Sequence, residues 1–252
     1  MDDRQATFGT DGSLETETPP EATGENDFGE QKESDETDGG FNRYAVASLL
    51  QKAVRRSDEE VAAWCAWELA RSGFGWNLWD RLNTIVVEDL RAGSEVALLV
   101  ARYEELATEK WDADSTMGRR CAIHAALAAA RSRASRESTN AENCFSAVAD
   151  HRAEARDAGE EPEYTFPVEN LDIGSEYDVA LDGHTGEGAR AGRGSRFFRV
   201  HGGRVGPVGE SALSERWQRV AMELDEYDYA DEELDHATSA VDADDPWREP
   251  EF

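Results

Sequence analysis

Residues 44–73, YAVASLLQKAVRRSDEEVAAWCAWELARSG, decide the fold class. Val46, Leu49, Leu50, Ala53 and Val54 recur at helical spacing, so the first half winds into a helix with one apolar face. Ser57 and Glu60 form a capping-box pair, which predicts a second helix starting there. That helix sets Val61, Trp64, Cys65 and Leu69 on one face and ends near Gly73.

The same pattern continues outward. A third helix is expected from about Asn77 to Arg91, with Leu78, Leu82, Ile85 and Val86 inward. Gly93 ends it, and Ser94 caps a fourth helix carrying Val96, Leu99, Val100, Tyr103 and Leu106. After the polar turn at 111–115, an Ala-rich fifth helix runs to about Ala134, with Cys121, Ala125 and Leu127 on its apolar face. Thr139 and Glu142 make a second capping box, opening a sixth helix with Phe145, Val148 and Ala149. Short loops between such helices predict a mainly α fold, an antiparallel array of about six helices over 41–157.

Past Asp157 the periodicity fails. Residues 158–163 read as a polar linker, 164–181 give weak strand or short-helix signals around Pro167, and 183–209 are rich in Gly and Arg. One more amphipathic helix is expected over 211–224, showing Leu213, Trp217, Val220 and Ala221, so 158–224 forms an appendage to the helical core. Residues 1–40 hold thirteen acids and two bases, and residues 223–252 hold thirteen acids and one Arg. Both tails, 1–40 and 225–252, are expected to be disordered, because such stretches bury too little apolar surface to offset chain entropy.

The net charge of −29 is concentrated in those tails, and residues 43–157 come to only −2. An acidic whole argues against nonspecific nucleic-acid binding. Lys supplies only three of the 26 basic residues, and with abundant acid and Ala this is the composition of a salt-adapted, halophilic proteome. Cys65, Cys121 and Cys144 fit neither a disulfide framework nor a zinc pattern, and each is expected to pack on an apolar helical face. The start MDDRQATFGT lacks the features of a signal peptide, and no apolar run spans a bilayer, so the expectation is a cytoplasmic chain with no membrane contact.

Motifs that carry chemistry are scarce. No Lys follows a Gly, so a P-loop is absent, and no strand feeds the Gly188, Gly192 and Gly194 stretch as a dinucleotide fingerprint would need. No two of the five histidines form His-x-x-x-His, and His124 reads as a core or interface histidine. Glu88 and Asp89 read as a solvated helix end or a salt bridge with Arg81 or Arg91. No catalytic residue, cofactor or metal is assigned, and the chain is expected not to be an enzyme. The exception in character is 182–204, DGHTGEGARAGRGSRFFRVHGGR. Arg190, Arg193, Arg196, Arg199 and Arg204 interleaved with Phe197 and Phe198 suit single-stranded nucleic acid, charge for phosphates and rings for bases. The competing reading pairs those arginines with the protein's own excess acid, and another has them meet some other anionic ligand. A further reading builds an enzyme on the segment from His184 to His201 with Asp182.

The helical core also resembles a known family. Leu49, Gln51, Lys52, Arg55, Ser57 and Asp58, followed by an apolar helix ending in Gly, look like the start of the C-terminal domain of the MgsA/RarA replication-associated recombination AAA+ ATPases, relatives of the Werner helicase interacting protein. Arg81, Leu82, Ile85, Glu88, Asp89 and Leu90 match that domain's next helix, and the Ala-rich helix and the turn containing Asn140 fall where its last two helices lie. The resemblance covers about 115 residues. It implies a helical oligomerisation domain, tetrameric, serving DNA replication, recombination or repair, with an AAA+ ATPase or replication protein in trans and single-stranded DNA nearby. The ATPase module itself is missing, which leaves an adaptor role.

Overall fold

The computed structural model describes residues 6–8, 14–16 and 35–249. Ala6–Phe8 (β1) and Leu14–Thr16 (β2) pair antiparallel. The chain divides into two units, Met1–Tyr164 and Thr165–Phe252.

The first unit is the helical array. Its helices are Arg43–Arg55 (α1), Glu59–Arg71 (α2), Gly75–Glu88 (α3), Val96–Glu105 (α4), Thr116–Arg131 (α5) and Glu137–Ala158 (α6). A π turn, Leu106–Lys110, continues α4. The core is the seam between α2 and α5, flanked by α1 and α4. Cys121, Ala122, Ala125, Ala126, Ala129 and Ala130 of α5 meet Ala62, Cys65, Ala66 and Leu69 of α2, all buried. Side chains this small let two helix backbones approach closely, and Leu50, Leu78, Leu82 and Ile85 fill the remaining space. Burial pushes the Cys65 thiol up to about 12 and also raises Cys121.

Several local details differ from the sequence reading. Asp58, not Ser57, caps α2, its carboxylate accepting the Val61 amide, while Ser57 sits at φ 55° in the turn before it. The 139/142 capping box does not form: α6 starts two residues earlier, and Thr139 Oγ1 donates to the Glu88 carbonyl. Cys144 is exposed rather than packed, and His124 is exposed against the Tyr103 ring. The 158–163 linker folds back on α6, with Glu160 N donating to the Ala155 carbonyl and Glu163 N to His151 Nε2. Of the stretch 1–40, residues 35–40 are bonded to the array: Asp35 pairs with Arg43, and the Gly39 amide donates to the buried Glu68 carboxylate. Apart from β1 and β2, the rest of that stretch lies outside the described residues.

The second unit contains the 3-10 turn Asp178–Ala180, the short helices Gly186–Arg190 (α7) and Ser195–Phe197 (α8), a π turn Phe198–Gly202, and the helices Ala212–Glu223 (α9) and Asp231–Thr238 (α10). Its core is small: Val200, Met222, Leu234 and Ala237, with Tyr229 against them. The face of α9 that the sequence marks as apolar is not the buried one, since Leu213, Trp217, Val220 and Ala221 are all exposed. The expected disorder of 225–252 is corrected over 225–249, where α10 forms and its Glu233, Leu234 and Ala237 are buried. Among the described residues no helix is long and apolar enough to cross a membrane.

Candidate functional site

Gln51, Arg55, Arg81, Glu88 and Asp89 form a structural clamp. Asp89 is fully buried at the end of α3. Arg55 Nε donates to it at 2.5 Å and Gln51 Nε2 at 2.8 Å, while Gln51 also donates to Glu88 at 2.9 Å. Arg81 donates to Gln51 Oε1 at 3.0 Å. The ion-pair partners of Asp89 are thus Arg55, from α1, and at 3.8 Å Arg136, instead of Arg81 or Arg91. The Asp89 carbonyl accepts the Ser135 amide, and Arg91 N donates to the Arg133 carbonyl, so the clamp also fixes the turn between α5 and α6. A carboxylate with no exposure needs these donors, because an unpaired charge there is strongly unfavourable. Lys52 reaches only Ser48.

Beyond that anchored turn, the contacts of α6 among the described residues are with the 158–164 segment that folds back on its C-terminal half, where the Tyr164 ring meets His151. Of its 22 residues only Ala155 is buried. Ala141, Cys144 and Phe145 are exposed and Val148 half-buried, four residues on one stripe at helical spacing.

In the second unit the arginine-rich segment meets the acids of its own unit. Arg193 donates to both carboxylate oxygens of Asp178, at 2.5 and 2.8 Å, and to the carbonyls of Asp178 and Leu181. Its guanidinium also lies 4.4 Å from the centre of the Phe197 ring. Arg196 forks onto Glu233 at 2.7 and 2.9 Å. Arg199 Nε stands 3.0 Å from Asp225, and Arg204 holds both oxygens of Glu249 at 2.9 Å. Hydrogen bonds from Arg193 hold Asp178 below the usual carboxylate range, and those from Arg196 do the same for Glu233. Arg190 alone of the five has no ion-pair partner among the described residues. Among the described residues four of the five arginines are therefore paired with carboxylates of their own unit. This pairing is also what orders the acidic stretch 225–249: it supplies the compensating charge that the stretch lacks when read by itself.

Two clusters in this unit join residues that the sequence singles out with partners that it does not. His201, His236 and Glu249 converge, with His236 Nε2 2.6 Å and His201 Nδ1 3.1 Å from one Glu249 oxygen. These donors could hold a metal ion by type, but the Arg204 guanidinium already lies 3.0 Å from His236 Nε2 and 2.9 Å from Glu249. A fixed cation in the same space fits an ionic knot, not a metal centre. Burial lowers the His236 pKa despite that carboxylate, whereas Glu249 stays below its ordinary range: burial raises it, and the two histidines and Arg204 outweigh burial.

The other cluster lines an open surface pocket of about 620 Å³, with His184, Ser195 and Phe198 exposed to solvent. Its walls include His184, Ser195, Phe198, Arg199 and Gln218, with backbone from Gly183, Gly194 and Gly203. A tight turn positions His184. Thr185 Oγ1 donates to the Asp182 carbonyl and accepts the Gly188 amide, and a Cβ on Gly188 would collide with the carbonyl oxygens of Leu181 and Asp182. Asp182 accepts both the His184 amide, at 2.8 Å, and the His184 ring Nδ1, at 3.1 Å. Burial alone would raise the Asp182 pKa, but those bonds hold it below its ordinary value. With Nδ1 held by a carboxylate, His184 carries its free valence at Nε2. Of these residues the sequence singles out Asp182, His184, Phe198 and Arg199, but not Ser195 or Gln218, which come from separate elements.

A scan against protein-family models gives no match, and neither does a search of curated proteins.

Proposed function

We propose that this chain is a non-enzymatic assembly module that pairs with a second copy of itself through α6. The observation that carries the reading is a 22-residue helix with a single buried residue. Helices in proteins draw most of their stability from burying a face, and this one leaves Ala141, Cys144 and Phe145 of its apolar stripe exposed. Charge supplies the orientation. Glu137 and Arg156 stand at opposite ends of the stripe, as do Arg136 and Asp157. Two copies laid antiparallel set each acid against a base of the other, whereas a parallel pair sets like on like. An antiparallel pair is a closed two-fold contact, the first step toward the tetramer that the MgsA/RarA resemblance implies. That resemblance also supplies the setting, DNA replication, recombination or repair beside an AAA+ ATPase or replication protein in trans, and it rests on the clamp and turn residues alone.

Size-exclusion chromatography with light scattering in high salt tests the pairing. The wild type is expected at twice the 27.9 kDa chain mass or a higher even multiple, and Phe145→Asp at the chain mass. Trp217→Asp, on the exposed stripe of α9, leaves the assembly unchanged. A wild-type chain that stays monomeric at every concentration overturns the proposal.

A further inference from the structure

The cavity of the second unit differs from its surroundings in one respect. Elsewhere in the unit Arg193, Arg196 and Arg204 are saturated by carboxylates, and His201 and His236 by Glu249. Around the cavity the polar atoms are unspent. Arg199 is engaged only through Nε, so its two terminal nitrogens keep four N–H donors. His184 is held only through Nδ1, and Gln218 only through Nε2, which donates to the Ala237 carbonyl. The Ser195 hydroxyl has no protein partner among the described residues. These side chains come from three places in the chain and line one space of ligand size. The Phe198 ring stands beside them, 5.4 Å from the His184 ring centre and edge-on to it.

We infer that this cavity is a binding site for a small phosphorylated molecule. Arg199, His184 and Ser195 supply the donors that a phosphate monoester asks for, a guanidinium fork, an imidazole and a hydroxyl. The Phe198 ring offers an apolar wall for the organic part, and Gln218 Oε1 an acceptor for one of its hydroxyl or amino groups. Asp182 fixes the tautomer so that the His184 ring can be presented at Nε2. Gly194 lines the pocket, and a Cβ built there meets nothing within 4 Å, so a larger side chain has room to project from that wall. The site stands apart from α6 and does not depend on the self-association proposed above.

Calorimetric titration of the full chain with inorganic phosphate and with adenosine monophosphate, in excess chloride, tests the inference. Saturable binding of adenosine monophosphate is expected, with phosphate weaker. Arg199→Ala is expected to weaken it about tenfold or more, the loss of one charge-assisted contact. Gly194→Leu, which fills the cavity without removing a charge, is expected to abolish it, and it decides the matter if Arg199→Ala fails to fold by circular dichroism. No saturable binding of either probe to the folded wild type, or binding that Gly194→Leu leaves intact, overturns the site.

Discussion

The two units of this protein are held together by different physics. In the first, small side chains on α2 and α5 interlock, and twenty-five buried apolar residues share one core. In the second only four apolar residues form the core, and five arginine–carboxylate pairs, Arg193–Asp178, Arg196–Glu233, Arg199–Asp225, Arg204–Glu249 and Arg219–Asp235, tie its elements together. Apolar burial is indifferent to salt and to pH in the carboxylate range, whereas an ionic lattice is sensitive to both. The same residue type therefore serves different ends in each: Arg55 neutralises one buried carboxylate inside an apolar array, and Arg196 substitutes for the core its unit lacks.

The sharpest way to break the contrast is in the first unit. Arg55→Ala removes the nearest cation from the fully buried Asp89, leaving it Gln51 and an Arg136 guanidinium 3.8 Å away, and is expected to cost about 3 kcal/mol in urea unfolding. Leu69→Ala, at a fully buried position, is expected to cost about 2–5 kcal/mol, with little dependence on salt. In the second unit Glu233→Gln should cost less, about 1 kcal/mol, because its partner Arg196 is nearly half exposed and water takes up part of the loss. Hydrogen exchange resolved by residue separates the two units in these variants.

Salt and pH sharpen the comparison further. Residues 165–249 hold twenty acids and eight bases. The surplus repulsion acts over long distances and is screened, since the Debye length falls from about 10 Å at 0.1 M salt to about 3 Å at 1 M. The pairs at 2.5–3.0 Å are screened much less, so added salt is expected to raise the unfolding midpoint of this unit. Asp178, Glu233 and Glu249 have folded pKa values below their unfolded ones. Their contribution is present in full above the ordinary values of 3.8 and 4.5 and is lost as pH falls through the lowered ones. Acid titration followed by exchange should open this unit while the apolar seam of the first remains protected. The smallest effect is chemical. A thiol reagent at neutral pH should leave Cys65 and Cys121 untouched, and should label Cys144 faster in Phe145→Asp than in the self-associated wild type.

Much of the first unit was legible in the sequence. Helix periodicity placed α1 to α5 and most of their inward residues, though Leu49 and Leu99 are exposed and the ends of α3 and α5 fall three residues short. The bareness of α6 was not legible, because Phe145, Val148 and Ala149 have the spacing of a buried face whether or not anything covers it. The inward face of α9 was misread for the same reason: Met222 is buried while Trp217 is 61% exposed. In the cavity, His184 and Asp182 are two residues apart and stood out together, while Ser195 and Gln218 carry no signal until the chain folds.

By itself the sequence determined that the chain is mainly helical, that the core of the first unit is nearly neutral, and that it holds no P-loop. Each of these depends on residues within a few positions of one another or on a simple count. Only the tertiary structure decided that the arginines of 193–204 are spent on the acids of 178–249, with partners up to 45 residues away, and that Arg199 keeps donors to spare beside a cavity. Charge composition fixes how much of each sign is present. The path of the backbone fixes which charges come within 3 Å of one another, and at that distance desolvation and Coulomb attraction become strong enough to order an acidic chain.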